Sequence, residues 1–403
     1  MSALTLPDVS AEFPFLARGL VYLDSANTAQ KPQVVLDSLR DSLELHNANV
    51  HRAVYPLAVE ATERFEGARD IVAAHLGATR QEILFTKNAS EALNLVAYSW
   101  GRRNVGRGDL VVLTPMEHHS NLVPWQLLVQ EVGAELAYVE MSDDGRLDLD
   151  SLDRLLAREP KLVTVAHVSN VLGTINPIEE ICRRAHAAGA VVVVDGAQAV
   201  PHRPVDVREL DADFYAFTGH KVYGPTGIGV LFGKRELLED MPPFLGGGEM
   251  ISSVDFFQSR WNELPWKFEA GTPPIAEAAA LGTALEWLGD LGLEAVAAHE
   301  GELTDHLLER LAELPHVSIQ GPASGYRGAL VSFTVAGAHP HDVAEILARD
   351  GVCIRAGHHC AQPLMRRLGL PATTRASFGV HNTREDADAL VAGLERVRTT
   401  LQL

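Results

Sequence analysis

The stretch Val191-Val-Val-Val-Asp-Gly-Ala-Gln198 decides the fold class. Four β-branched residues in a row are typical of a strand buried on both faces, and the polar residues after them mark its end. Similar short apolar runs alternate with helical periods from about residue 81 to residue 233. This alternation predicts an α/β fold with a large, mainly parallel sheet and helices on both faces.

Other predicted strands of this sheet share the same short, apolar character, and several of them also end in polar residues. In open α/β sheets, ligands bind beyond the carboxyl ends of the strands, so we expect these polar ends to converge on one crevice. The predicted strands are residues 82–86, 110–115, 135–140, 162–169, 191–195, 214–217 and 229–232.

After residue 274 the pattern changes to long helices followed by a smaller α+β unit. The stretch 242–274, with three glycines at 246–248, is predicted as loop. Later helices are expected at 274–289, 297–314, 341–349 and from Arg384, and strands at 317–320, 330–335, 352–355 and 375–380. We predict a segment 1–20 that packs with the small domain, a large domain at 21–285 and a small domain at 286–403.

Charge and cysteine content exclude several classes of protein. Lys and Arg number 34 against 53 Asp and Glu, and the resulting charge of −19 has the wrong sign for a nucleic-acid partner. The cysteines Cys182, Cys353 and Cys360 include no C-x-x-C pair, which disfavours disulfide frameworks and four-thiolate zinc sites. Because there is neither a signal-peptide pattern nor a membrane-length apolar run, we expect a cytoplasmic enzyme without a membrane partner.

Lys221 lies among small and apolar residues between two predicted strands, which is a poor position for a merely solubilising lysine. A desolvated lysine has a lowered pKa and can form a Schiff base. Pyridoxal phosphate needs such a lysine together with a carboxylate that keeps its pyridine nitrogen protonated. Asp195 can supply that carboxylate, although a strand-end aspartate taken alone more often caps a helix.

Two further segments fit the same cofactor. Ala89 and Ser90 open an amphipathic helix after a strand, where backbone N–H groups and a hydroxyl can bind a phosphate. Ser90 could equally be an ordinary helix cap. His118 could lie flat over the pyridine ring, although an isolated His-His pair is more often a surface or capping feature.

The stretch Arg355-Ala-Gly-His-His-Cys360 forms a second chemical centre. We expect no metal site there, because adjacent residues seldom ligate one ion and no complementary ligand pair lies nearby. A loop rich in Gly, His and Pro is a poor place to bury a structural thiol, so Cys360 is predicted to be a reactive nucleophile. Cys182 and Cys353 are predicted to be structural.

Taken together, the chain resembles the class V, fold-type I pyridoxal phosphate enzymes, and among them the SufS-like group II cysteine desulfurases. The resemblance covers nearly the whole chain. It implies conversion of L-cysteine to L-alanine, with the sulfur passing as a persulfide on Cys360 to an acceptor protein, by default for iron–sulfur cluster assembly. Besides the stretches above, it rests on Tyr22-Leu-Asp-Ser-Ala, His167-Val-Ser-Asn170, Gly219-His-Lys221, Phe268-Glu-Ala-Gly-Thr-Pro273 and Arg375-Ala-Ser377.

The resemblance also implies a role for each cofactor-binding residue. Lys221 would carry the cofactor, Asp195 would pair with the pyridine nitrogen, and His118 would stack on the ring. Gln198 would donate to the phenolic oxygen of the cofactor. The phosphate would be held by Ala89, Ser90, Thr218 and His220, and by Thr272 from the other subunit of a homodimer.

For the substrate, the resemblance implies that Arg375 clamps the carboxylate, with Asn170 and Arg355 assisting. His341 would take over a zinc ligand of a SufU-type acceptor, unless it is only a helix cap or surface residue, and a SufE-type acceptor is the alternative. A selenocysteine lyase or cysteine sulfinate desulfinase uses the same cofactor and a similar Cys loop. An epimerase or transaminase of the class, and an inactive scaffold that has kept the fold, also stay open.

Overall fold

The computed structural model describes residues 6–403, so the first five residues of the predicted segment 1–20 lie outside the described residues. The strands are β1 (Val21–Tyr22), β2 (Ile83–Thr86), β3 (Leu110–Leu113), β4 (Glu135–Tyr138), β5 (Leu162–Ala166), β6 (Val191–Asp195), β7 (Phe214–Thr218), β8 (Gly229–Gly233), β9 (Ile251–Val254), β10 (Ser259–Trp261), β11 (Val317–Gln320), β12 (Leu330–Val335), β13 (Val352–Cys353), β14 (Arg355–Gly357) and β15 (Thr373–Ser377).

The helices alternate with the strands of the first half of the chain and dominate the region after residue 274. They are α1 (Gln33–Glu44), α2 (Pro56–His75), α3 (Ala89–Val96), α4 (Arg102–Asn104), α5 (Val123–Val132), α6 (Leu149–Leu156), α7 (Ile178–Ala187), α8 (Arg235–Asp240), α9 (Ile275–Leu291), α10 (Leu293–Ala312), α11 (Pro340–Arg349), α12 (Gln362–Leu368) and α13 (Arg384–Leu401). Among residues 6–403, no helix combines the length and apolar character needed to span a bilayer.

The large sheet has the strand order β2-β8-β7-β6-β5-β3-β4, and all seven predicted strands are confirmed as its members. Its strands run parallel except for β8, which is antiparallel to both neighbours. Val192 and Val194 pack into the core on one face, whereas Val193 packs into the core on the other. The valine run is therefore continuous because both faces of its strand are covered, and the predicted α/β fold is confirmed.

The smaller sheet, with the order β11-β12-β15-β14, is entirely antiparallel. β1 pairs in parallel with β13 of this unit. Val9 and Phe13 pack with Leu288 and Val296 of the helices α9 and α10 and with Val380. The segment around Val9 and Phe13 therefore contacts the long helices as well as the small unit.

Two local predictions differ from the structure. The stretch 242–274 contains the antiparallel hairpin β9–β10, which the sequence pattern missed because its side chains are mostly exposed and show no apolar alternation. The predicted strand 352–355 divides into β13, which pairs with β1, and β14, which pairs with β15. The division moves the end of this segment into the small sheet, next to the Cys360 loop.

A buried ion cluster connects α2 with the segment that precedes α9. Arg69 is 0% exposed and donates from Nη1 to Glu269 Oε1 (2.6 Å) and from Nη2 to Glu269 Oε2 (2.8 Å). Its Nε donates to Glu66 Oε2 (3.1 Å), and Glu269 also accepts from the Phe85 amide (2.7 Å). Burial opposes the charge of Glu66, but His51 and Arg69 lower its pKa to about 2. The guanidinium thus fixes β2 to both segments.

Arg69→Met should destabilise the protein by about 3–5 kcal/mol, because it leaves two buried carboxylates without their partner. The apparent midpoint of urea unfolding would measure the loss. Arg102→Met is the matched control: Arg102 pairs with Glu131 at the surface, where a lost ion pair costs about 1 kcal/mol or less. Equal shifts of the midpoint in the two variants would contradict this assignment.

Candidate active site

A cavity of about 230 Å³ lies at the carboxyl ends of β5, β6 and β7, and residues from both sheets line it. The strand-end polar residues therefore meet in one crevice, as the parallel strands require. Twelve of the predicted site residues line this cavity: Ala89, Ser90, His118, Asn170, Asp195, Gln198, Thr218, His220, Lys221, Arg355, Cys360 and Arg375.

Lys221 follows β7 in a short 3₁₀ turn, Gly219–Lys221. Burial lowers the pKa of its ammonium to about 8, and the carboxylate of Asp195 opposes that shift. Burial raises the pKa of Asp195, whose Oδ1 accepts from the Ala197 amide at 3.0 Å. A lysine with a lowered pKa is partly neutral near pH 7 and can attack a carbonyl.

Residues 28–31 hold the peptide between His220 and Lys221 in place. The His220 carbonyl oxygen accepts from the Ala29 amide (3.0 Å), from Thr28 Oγ1 (3.2 Å) and from Lys31 Nζ (3.1 Å). Burial lowers the pKa of Lys31 to about 8. Three donors on one carbonyl leave the backbone of the reactive lysine little freedom to move.

His118 presents a neutral imidazole to the cavity. Burial, followed by the nearby Lys221 charge, lowers its pKa to about 3. Its Nδ1 accepts from the Ser120 amide at 3.1 Å, so the ring proton is on Nε2. An uncharged ring can lie over an aromatic cation without electrostatic repulsion.

The turn before α3 is shaped to bind an anion. The side chain of Asn88 caps the helix by accepting from the Glu91 amide (3.0 Å). The first amides of α3, which have no partner within a helix, lie at the cavity edge. Ser90 Oγ lies 2.5 Å from Ser120 Oγ. The Asn88 backbone packs closely against Gly229 of β8. A side chain at position 229 would come within 2.4 Å of that backbone, so glycine is needed there.

These residues fit pyridoxal phosphate. Thr218 Oγ1 lies at the same cavity, is buried and has no hydrogen-bond partner within residues 6–403, as expected for a hydroxyl that awaits a ligand oxygen. Gln198 Nε2 donates to the Ala26 carbonyl (2.7 Å) and keeps a second N–H for another acceptor. The reactive lysine, the opposed carboxylate and the helix N-terminus together match the aldehyde, pyridine and phosphate of this cofactor.

The Cys360 loop enters the cavity from the small unit in a strained conformation. His359 and Cys360 have φ values of 51° and 57°, a left-handed region that few residues other than glycine adopt. The large unit holds this turn: Asn170 Nδ2 donates to the His359 carbonyl (2.7 Å), and the His119 amide donates to the Cys360 carbonyl (2.8 Å). Strain that neighbouring contacts maintain is typical of functional residues.

The two arginines lie directly opposite each other, Arg355 on β14 and Arg375 on β15. Arg375 is 0% exposed and donates from Nη1 to the Asn170 carbonyl (2.8 Å) and from Nη2 to Asp24 Oδ1 (3.2 Å). Burial lowers its pKa to about 10, with Asp24 acting in the opposite direction. Its buried Nε has no partner within residues 6–403, so this donor stays available for a carboxylate.

Two predicted residues lie outside the cavity. Thr272 lines a separate groove next to Phe85 and Leu245. His341 is exposed in the first turn of α11. No set of three or more His, Cys, Asp or Glu side chains arranged to bind a metal occurs among residues 6–403.

Sequence reasoning missed several residues of the cavity. Asn27 lines it from the turn after β1, next to Ala26, which ends the Tyr22-Leu-Asp-Ser-Ala motif and has no role assigned from the sequence. Glu117 lies behind the cavity, 1% exposed, and its Oε1 accepts from the Ala166 amide at 3.0 Å. Burial raises the pKa of Glu117 to about 8. The sequence places Glu117 among the strand-end polar residues expected at this crevice but assigns it no role.

Comparison with known proteins gives a consistent result. Residues 21–390 match the family model described as Aminotransferase class-V. A probable cysteine desulfurase of Streptomyces coelicolor is 52% identical, with 97% of this chain and 96% of that protein covered. The apo structure of a cysteine desulfurase from Thermococcus onnurineus NA1 has a TM-score of 0.95 at 41% identity, covering 99% of this chain and 100% of that one. The cysteine desulfurase CsdA of Escherichia coli, in an S-sulfonic acid form, has a TM-score of 0.92 at 40% identity, covering 97% and 98%.

The rate at which the cofactor-free protein captures pyridoxal phosphate should rise between pH 7 and 9 and then level off. Lys221, with its pKa at about 8, is mostly protonated and unreactive below that pH and mostly neutral above it. An ordinary lysine would keep gaining reactivity to about pH 10.4. Stopped-flow absorbance of the lysine-bound cofactor measures the rate, and Lys221→Ala should lack the band. A rate that still climbs steeply at pH 10 would contradict the lowered pKa.

Proposed function

This chain belongs to the class-V aminotransferase family, and from that membership we propose that it is a pyridoxal-phosphate-dependent cysteine desulfurase that transfers sulfur through Cys360. The observation that carries the proposal is that Cys360, on the small unit, lines the same cavity as Lys221 and Asp195 of the large one. A transaminase or epimerase needs the lysine and the carboxylate but has no use for a thiol at that place.

Pyridoxal phosphate would be held by the residues that fit it above. Lys221 would bind its aldehyde, Asp195 its pyridine nitrogen and Gln198 its phenolic oxygen. Thr218, His220, Ser90 and the first amides of α3 would bind the phosphate. When bound, this cofactor supplies an electron sink that weakens the bonds at the α and β carbons of an attached amino acid.

Arg375 would bind the substrate carboxylate. A guanidinium matches a carboxylate in shape and charge, and Nε of Arg375 is a donor without a partner within residues 6–403. Asn170 fixes the guanidinium through its carbonyl oxygen and fixes the Cys360 loop through its side chain. The clamp and the nucleophile are therefore positioned by the same residue.

Lys221 would move the proton of the substrate α carbon. A pKa of about 8 lets the amine act as a base near neutral pH and return the proton afterwards. His118, with its ring proton on Nε2, would cover the opposite face of the site and exclude water from it.

Cys360 would then accept the sulfur. Its thiolate attacks the sulfur of L-cysteine, a bond forms between the two sulfurs, and the Cβ–S bond breaks. The electron pair of the broken bond and one proton go to the β carbon. The product then leaves as L-alanine. The thiol of Cys360 and one L-cysteine become a persulfide on Cys360 and one L-alanine, so no external oxidant is needed.

Cys360→Ala should reduce alanine formation from L-cysteine by at least about a hundredfold, because only the sulfur acceptor is lost. The absorption band of bound cofactor should persist. Cys353→Ala, which removes a half-buried cysteine of β13, is the control and should retain turnover. If Cys360→Ala still desulfurated cysteine, a selenocysteine lyase or a related activity would be the better assignment.

We propose that the chain acts as a homodimer. The hairpin β9–β10 exposes Phe256 (96%) and Phe257 (98%), and exposed aromatic clusters mark protein interfaces. Thr272 does not line the cavity of its own copy, which agrees with a role at the phosphate of a second copy. A second copy over this region would cover the hairpin and complete both sites.

A SufU-type zinc protein is the proposed sulfur acceptor, and iron–sulfur cluster assembly the proposed pathway. His341 is exposed at the start of α11, next to β14, which leads into the Cys360 loop. Its Nε2 would lie 3.9 Å from a side-chain carbon placed at Gly357. An imidazole there could ligate the zinc of a docked partner and so free a thiol of that partner for the persulfide.

His341→Ala should abolish the stimulation of alanine formation by a purified SufU-type protein while leaving the rate without acceptor unchanged. His339→Asn is the matched control, since it removes the neighbouring imidazole but keeps a side chain able to cap α11. Undiminished stimulation in His341→Ala would rule out zinc exchange at this residue. Stimulation by a SufE-type protein alone would favour the other acceptor.

A further inference from the structure

A continuous hydrogen-bonded chain connects the two arginines of the cavity to Cys360 through the turn after β1. Arg375 Nη2 donates to Asp24 Oδ1 (3.2 Å), and Asn27 Nδ2 donates to Asp24 Oδ2 (3.1 Å). Arg355 Nη1 donates to Asn27 Oδ1 (2.8 Å), and Arg355 Nη2 lies 3.9 Å from Cys360 Sγ. Asn27, at the centre of this series of hydrogen bonds, lines the cavity.

The donor and acceptor groups along this series of hydrogen bonds allow one arrangement only. A guanidinium can only donate, so Asn27 must turn its carbonyl oxygen to Arg355 and its NH₂ group to Asp24. An ionised Asp24 can only accept, and it accepts from Asn27 on one oxygen and from Arg375 on the other. Each group therefore has the partner that it needs, which holds the Asn27 amide in one orientation.

Charge explains why such a support is needed. Arg355 and Arg375 face each other across β14 and β15, where like charges repel. Arg355 has no ion pair with a carboxylate among residues 6–403, and Asn27 is its nearest fixed acceptor. Without Asn27, repulsion from Arg375 would favour conformers that carry the Arg355 guanidinium away from Cys360.

The backbone of the turn is itself anchored on both sides. The Ala26 amide donates to Ser377 Oγ (2.9 Å), and the Ala29 amide donates to the His220 carbonyl (3.0 Å). Tyr22 Oη donates to the Thr28 carbonyl (2.8 Å) and so closes the turn. The side chain at position 27 is therefore presented from a rigid base.

We propose that Asn27 and Asp24 are positioning residues, which hold the Arg355 guanidinium against Cys360 and so raise the reactivity of its sulfur. This inference rests on the proposed function only in making Cys360 the nucleophile. The thiolate is the attacking form of a cysteine, and a nearby fixed cation stabilises it. Asn27 thus links the substrate clamp at Arg375 to the reactivity of the sulfur acceptor.

Alkylation of Cys360 by iodoacetamide tests this proposal without turnover. Measured on the holoenzyme by peptide mass spectrometry, the rate at Cys360 should fall about three- to tenfold in Asn27→Ala. The rate at Cys353 in the same samples should stay within about twofold.

Asp24→Asn separates positioning from simple electrostatics. Removing a negative charge would by itself favour the thiolate and speed alkylation, whereas a loss of positioning slows it. We expect alkylation about two- to threefold slower than in the unchanged protein.

An unchanged Cys360 rate in Asn27→Ala, or an equal fall at Cys353, would overturn the proposal, as would faster alkylation in Asp24→Asn. These outcomes are independent of desulfurase activity, because alkylation needs no substrate. Cysteine turnover that survives in Cys360→Ala would instead remove the proposed function and leave the alkylation result intact.

Discussion

The interaction on which the rest of the structure depends is the electrostatic attraction between a desolvated Lys221 and the carboxylate of Asp195. Removing an ammonium from water is costly, and the low pKa of Lys221 is the direct result of that cost. The cost is tolerated only on a rigid support. The large sheet supplies it, since β6 and β7 are neighbours and are covered on both faces.

The second requirement, under the proposed function, is that the proposed nucleophile comes from another part of the chain to the cavity of this lysine. Cys360 comes from the loop after β14, in a backbone conformation that is unfavourable for a residue with a side chain. His119 and Asn170 of the large unit hold that loop through its carbonyl groups. The turn after β1 contacts both halves of the cavity, since Ala26 binds Gln198 and Asn27 binds Arg355. The site therefore exists only where three separate segments meet.

Much of this arrangement was predictable from local sequence, for identifiable reasons. Strand-end polar residues such as Asp195 were predictable because their strands are short, apolar and parallel, which brings their ends to one edge. Lys221 and Cys360 stood out because their neighbours suit neither a surface lysine nor a buried structural thiol. The hairpin β9–β10 was missed because a strand pair with exposed side chains carries no period-two pattern. Asn27 was missed because its partner Arg355 lies at a sequence distance that no local pattern encodes.

The sequence by itself determined the α/β class, the seven strands of the large sheet and the residue types able to carry the chemistry. These follow from the order of apolar and polar residues along the chain, which is local information. Only the tertiary structure decided that Arg355 faces Arg375, that Asp24 and Asn27 connect both to Cys360, and that Thr272 lies away from its own cavity. The register of β14 on β15 fixes the first relation. The second depends on hydrogen bonds between residues more than 300 positions apart, which no local pattern can encode.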